Sequence, residues 1–215
     1  MKNHNQATEL KDIPILLFKS GTAVRIVNIV TLFRIIAFPL LVFLVLSNKI
    51  DGFKWLLLAS FFTDAIDGFL ARKYGATSIL GAKLDSIGDD LTIFAATTGL
   101  FATHFDFIKE EAVIFIALFG LFLAQVALSF YRYNKISTFH TYLAKIAAVV
   151  TAIFLLSVYF IDEVNYPLFY AAAAITGMEL IEEIILATIL KDYRSNVKGL
   201  YWVIREDKAK NKISE

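Results

Sequence analysis

The chain has 215 residues, no cysteine and a formal net charge of +1; hydrophobic residues make up 58% of it and charged residues 19%. That balance excludes a disulfide framework, thiolate metal ligation and an electrostatic address for nucleic acid. The apolar fraction also exceeds the ~45–50% of soluble domains, and a mean hydropathy of +0.64 points to an all-α, lipid-embedded bundle.

Residues 1–27 read as a cytoplasmic N-terminal segment. Met1–Pro14 is polar and lacks the apolar core and small-residue cleavage site of a signal peptide. Leu10–Val27 mixes Leu, Ile, Phe and Val with Lys11, Lys19 and Arg25. This is the composition of a helix lying in the membrane interface, although Pro14 and Gly21 count against it.

Residues 28–190 hold apolar runs long enough to cross a bilayer as helices. Six spans are expected: Ile29–Leu46, Phe53–Ala71, Gly81–Phe101, Ala112–Phe130, Thr141–Phe160 and Pro167–Leu190. Residues 191–215 read as a basic cytoplasmic tail carrying Lys191, Arg194, Lys198, Arg205, Lys208, Lys210 and Lys212. With Arg72, Lys73, Lys83, Arg132 and Lys135, these mark one side as cytoplasmic by the positive-inside rule. Both termini fall on that side of an inner, cytoplasmic membrane. Trp55, Tyr131, Tyr133, Tyr159 and Tyr166 lie near predicted ends, as an interfacial belt would place them.

Span two carries Asp64 and Asp67, and span three carries Asp85, Asp89 and Asp90. An ionised group at the centre of a membrane helix costs at least ~2.5–3.5 kcal/mol, so such a cluster needs compensation. Asp64, Asp67, Gly68, Ala71 and Arg72 fall on one helical stripe; Gly81, Asp85, Gly88, Asp89 and Thr92 form another. A short connection makes the two helices antiparallel neighbours, and their small residues permit close approach. Four carboxylates would then converge at the cytoplasmic end. An oxygen-only ligand set suits hard divalent ions such as Mg²⁺ or Mn²⁺, and a pair of them suits phosphoryl-type displacement. Asp90 sits one residue off the stripe and is expected to face water or a partner. Asp51 and Asp162 are expected to be caps or solvated loop residues.

Read as a string, Asp64-Ala-Ile-Asp67-Gly68-Phe-Leu-Ala71-Arg72, eight residues, then Gly81-Ala-Lys-Leu-Asp85-Ser-Ile-Gly-Asp89, resembles the complete signature of the CDP-alcohol phosphatidyltransferase family, DxxDGxxAR(x8)GxxxDxxxD. Six spans with this motif across the second and third also resemble the family's layout. The stretch Asn28-Ile-Val-Thr31-Leu-Phe-Arg34, followed by Pro39, resembles the start of span one in bacterial phosphatidylglycerophosphate synthases.

The resemblance implies an enzyme that takes CDP-diacylglycerol and a small alcohol, releases CMP, and works as a homodimer in the bilayer. It implies Asp64, Asp67 and Asp85 as ligands of two Mg²⁺ or Mn²⁺ ions, with Asp89 a fourth metal-site residue and the general base. Asp64, Gly68, Arg72, Gly81 and Asp85 would line the nucleotide site. Arg72 suits phosphate on its own chemistry, since a guanidinium grips phosphate oxygens in a fork. Thr77 and Ser78 could donate to phosphate or cytosine.

Glycerol 3-phosphate is the leading acceptor, with Arg34, Arg132, Lys135 and Lys145 as its candidate binding residues. Inositol phosphate, serine and other alcohols stay open, the more so because Asp90 stands where phosphatidylglycerophosphate synthases often carry a basic residue. Arg34 also reads either as a residue snorkelling from an apolar span or as one with a phosphate or carboxylate partner within the bundle, and Arg132 and Lys135 equally read as cytoplasmic flank charge. His140 reads as a cap of span five. Glu179, Glu182 and Glu183 suggest a polar pocket or buried partners such as Arg34 or Lys145. A cation transporter is the alternative of a different class, but it would spread acidic residues through the membrane depth rather than crowd them at one end. A prenyl-diphosphate transferase fits the GxxxDxxxD half poorly, and a structural scaffold leaves the carboxylate cost unexplained.

Overall fold

The computed structural model describes residues 22–74, 79–134, 139, 141–161, 163–190 and 197–211, with side chains left out in parts of the helices. Among them all regular structure is α-helical: α1 (Thr22–Leu46), α2 (Ile50–Tyr74), α3 (Ile79–Thr103), α4 (Phe105–Glu110), α5 (Ala112–Tyr133), α6 (Tyr142–Ile161), α7 (Tyr166–Ile189) and α8 (Leu200–Asn211). Among the described residues, α5 and α6 are long and apolar enough by length and composition to cross a membrane. The other long helices carry ionisable residues: Arg34 on α1, Asp64 and Asp67 on α2, Asp89 and Asp90 on α3, and three glutamates on α7. The chain divides into two compact units between Thr103 and His104.

In the first unit α1 packs against both α2 and α3, which touch each other much less. The motif helices, expected to face one another directly, are thus bridged by α1. Its buried residues Arg34, Ala37, Leu41 and Val45 recur at helical spacing and form the bridging face. On α2 the buried stripe runs Phe53, Leu57, Ser60 and continues in register to Asp64. On α3 it runs back from Leu100 through Ala96, Ala95 and Thr92 to Gly88. Both stripes therefore lead to the aspartates. Ile36, Leu40 and Phe43 of α1 face outward with Phe62 of α2 and Phe94 of α3. An apolar outer surface of this extent fits a lipid-facing bundle. Asp51, exposed in the first turn of α2, pairs with Lys54 at 2.7 Å. That ammonium holds its carboxyl below the usual range, in keeping with the solvated role expected of it.

In the second unit α7 packs on both α5 and α6. One end is closed by aromatic rings: Phe107 meets Phe169 edge-on at 4.9 Å, and Phe115 and Phe154 complete the group. There Tyr166 donates to Glu110 at 2.8 Å and Tyr170 to Glu111 at 2.6 Å. Asn165 caps α7, its Oδ1 accepting from the Leu168 amide at 3.0 Å. Pro167 then occupies the first turn, where no amide donor is missed.

At the other end Phe139, Leu186, Ala187, Leu190 and Val203 form a buried cluster. Val203 belongs to α8, so the expected tail contains a helix packed on the bundle. Two backbone bonds tie its approach to the segment before α6: Val197 N donates to Phe139 O at 3.0 Å, and Tyr142 N donates to Lys198 O at 3.3 Å.

Candidate active site

The site is assembled around Arg34. Its side chain is wholly buried, one turn beyond the polar start of the predicted first span. A guanidinium in that position requires anionic partners. Its Nη1 donates to Oδ1 of Asp64 at 2.6 Å and to Oδ1 of Asp89. One nitrogen thus joins an aspartate of the first half of the motif to one of the second half, across three helices. Of the readings left open for Arg34, the structure supplies the carboxylate partners.

Gly88 makes the seat for this cation. A Cβ on Gly88 would lie 3.4 Å from Arg34 Cζ and 3.5 Å from its Nε, so the guanidinium rests against the bare backbone of α3. Thr92 closes the turn below, its hydroxyl donating to Gly88 O at 2.8 Å. We expect Gly88→Ala to be nearly neutral in thermal unfolding, because the new methyl makes ordinary contact and alanine favours the helix by up to about 1 kcal/mol. Gly88→Leu should lower stability by roughly 1–3 kcal/mol through overpacking and displace the guanidinium. Equal stability and equal CMP release for the leucine variant would remove this glycine from the site.

Asp64 and Asp89 are 42% and 45% exposed in their side chains, whereas Arg34 is 0% exposed. The cation therefore holds them from the buried side, and their remaining surface faces outward. Each carboxylate has a second oxygen besides the Oδ1 bonded to Arg34. This oxygen-only donor set, oriented by a hydrogen-bonded second partner, fits a hard divalent ion. Among the described residues no three metal-ligating side chains cluster. Asp67, Gly68 and Arg72 lie on α2 and Gly81 and Asp85 on α3, with side chains outside the described residues. Thr77, Ser78, Lys135, His140 and Asp162 lie outside the described residues altogether. Asp90 is exposed, as its place off the stripe predicts.

The family profile of the CDP-alcohol phosphatidyltransferases matches residues 24–180, a span that takes in Arg34 and both halves of the motif. The chain belongs to the CDP-alcohol phosphatidyltransferase family. It is 47% identical over 47 residues to the CDP-diacylglycerol–inositol 3-phosphatidyltransferase of Saccharomyces cerevisiae, covering 22% of this chain and 21% of that protein. It is 34% identical over 62 residues to a cardiolipin synthase (CMP-forming)/mitochondrial hydrolase fusion protein of Schizosaccharomyces pombe, covering 29% of this chain and 10% of that protein. The alignments thus span about a fifth and a tenth of these curated relatives. No solved structure gives a significant match.

The remaining acceptor candidates of this family member lie in the second unit. Arg132 is exposed and its Nη2 donates to Leu190 O at 3.3 Å, next to Tyr133, whose hydroxyl donates to Ala187 O and Leu190 O. Both help satisfy carbonyls at the end of α7. Lys145 is exposed, its ammonium 5.4 Å over the Tyr142 ring. Glu183 is buried, and of the two expectations for it, a polar pocket or partners such as Arg34 or Lys145, its described contacts are uncharged polar groups. It accepts from Gln125 Nε2 at 2.8 Å and from the Phe139 amide at 2.9 Å. Glu182 accepts from the Leu200 amide at 2.9 Å. These glutamates tie connecting segments to α7. Nothing in the local sequence announces a backbone amide 44 residues away as the ligand of Glu183.

Proposed function

We propose that this protein transfers a phosphatidyl group from CDP-diacylglycerol to a small alcohol with release of CMP. It would do so as a six-span protein of the cytoplasmic membrane, with its site at the cytoplasmic end. The observation that supports this most is the junction of Asp64 and Asp89 on Arg34, which joins the two halves of the family motif. In this reading Asp89 accepts the proton of the acceptor hydroxyl. The freed oxygen attacks the phosphorus bearing the diacylglycerol, and the bond to the CMP phosphate breaks. Arg72 grips the diphosphate and Arg34 keeps the two aspartates aimed. Mg²⁺ or Mn²⁺ held by Asp64, Asp67, Asp85 and Asp89 would supply charge stabilisation of the diphosphate.

Glycerol 3-phosphate is the acceptor we propose, on the strength of the Asn28–Arg34 segment and Pro39. Inositol or its phosphate is a second reading, favoured by the local identity to the yeast inositol enzyme. An acceptor panel with CDP-diacylglycerol, with labelled lipid products separated by chromatography, tests both. Phosphatidylglycerophosphate is the expected product, and the absence of labelled product with every alcohol would end the reading. Chelation with EDTA should abolish CMP release, and added Mg²⁺ or Mn²⁺ should restore it. Full turnover in chelator would contradict the metal-dependent scheme.

A further inference from the structure

We propose that the start of α8 is a membrane-surface element that seats Tyr201, Trp202 and Ile204 in the headgroup layer of an anionic phospholipid bilayer. The described start of the helix is anchored to the bundle through Leu200 and Val203. Val203 is buried at 8% exposure in the cluster with Phe139, Leu186, Ala187 and Leu190. The Leu200 amide is held by Glu182, and the backbone just before it by Phe139 and Tyr142. Gly199, at φ +146°, makes the turn into the helix. With one side so anchored, Tyr201 (65% exposed), Trp202 (40%) and Ile204 (40%) are turned outward, where water would be a poor solvent for them.

Their position says what covers them. The Trp202 ring lies against Tyr142 at 5.6 Å and against Tyr201 at 5.6 Å. Tyr142 is the first residue of α6, a helix long and apolar enough to cross a membrane. From it an exposed row, Tyr142, Ile146, Val149 and Ile153, descends that helix at spacings of four, three and four. A bilayer that covers this row meets Tyr142 at its edge, and Trp202 and Tyr201 extend the same surface. Tryptophan and tyrosine concentrate at that depth because each ring has an apolar body and a polar edge. Lys198 and Arg205 are exposed at either end of the patch, and the sequence adds Lys208, Lys210 and Lys212 against Glu206 and Asp207. The excess of cations selects an anionic surface over a zwitterionic one.

The chain has only two tryptophans, Trp55 and Trp202, so Trp55→Phe leaves Trp202 as the sole emitter. The full-length protein is placed in nanodiscs of phosphatidylglycerol and phosphatidylcholine, with and without bromine near the top of the acyl chains. Trp202 emission should be blue-shifted and quenched about twofold by brominated lipid, as suits a ring at headgroup level. Quenching should weaken in pure phosphatidylcholine, and also when Arg205, Lys208, Lys210 and Lys212 are changed to Gln. Free access of aqueous acrylamide to Trp202 without bromine quenching would overturn the proposal. Protection from both quenchers would also do so, since a second protein copy would then cover the face. Equal quenching in both lipids would overturn its anionic preference. Should Trp55→Phe fold poorly, Ile204→Cys gives a unique spin-label site in a cysteine-free chain. Its accessibility to oxygen and to an aqueous relaxant reads the same depth. These measurements report position rather than turnover, so they hold whichever acceptor the enzyme uses.

Discussion

Asp89→Asn should lower CMP release by about 10²–10⁴-fold, the range for removing a positioned general base, while leaving the melting profile in detergent close to that of the parent. Asparagine keeps an oxygen that can accept from Arg34, so the junction of α1 and α3 retains its hydrogen bond. It loses the charge and the basicity that proton abstraction requires. The informative comparison is therefore turnover against stability in the same preparation. Turnover within a few-fold of the parent, in a protein that melts normally, would show that Asp89 neither takes the proton nor supports the reacting phosphate.

Arg34→Met should have the largest combined effect. Methionine occupies part of the volume but removes the guanidinium that joins Asp64 to Asp89. Breaking a buried pair by removing one partner costs about 3–5 kcal/mol, and the partial exposure of both aspartates places this case near roughly 3 kcal/mol. Activity should fall by a further 10–100-fold or so, the usual cost of losing a group that orients metal-ligating side chains. Adding Asp64→Asn to Arg34→Met should recover part of the lost stability, because one fewer carboxylate is left without the guanidinium. This is a non-additive double-mutant cycle. Strict additivity in urea or thermal unfolding would mean that the three side chains do not act as a unit.

Much of this was legible from residue spacing. The offsets among Asp64, Asp67, Asp85 and Asp89 place them on helical stripes, and the helices α2 and α3 bring Asp64 and Asp89 to one guanidinium. The long helices follow from long, mostly apolar runs. What spacing could not give was partner choice across the chain. Asp64 is 30 residues from Arg34 and Asp89 is 55, and nothing local to Arg34 selects them. The same holds for Glu183, whose charge suggested a polar pocket or a cation and which accepts from an amide side chain and a backbone N–H. Helix α8 was hidden for a different reason. Among the described residues its bundle-facing contribution is Leu200 and Val203, too short for a periodic signal among basic residues. Gly88 was placed on the correct stripe, but its use as a seat becomes visible only once Arg34 is against it.

The permanent charge on Arg34 has a consequence for the order of biogenesis. A bundle whose only counter-charges were loosely bound ions could not close until those ions arrived, and its aspartates would have to enter the bilayer unneutralised. Here α1 is made first and carries its own cation, ready for Asp64 and later Asp89 as α2 and α3 emerge. Under the proposed metal-dependent scheme the first three helices would settle before any ion is loaded, and ion-stripped protein should keep its helical content while losing turnover. On that scheme, assembly and activation would be separable events.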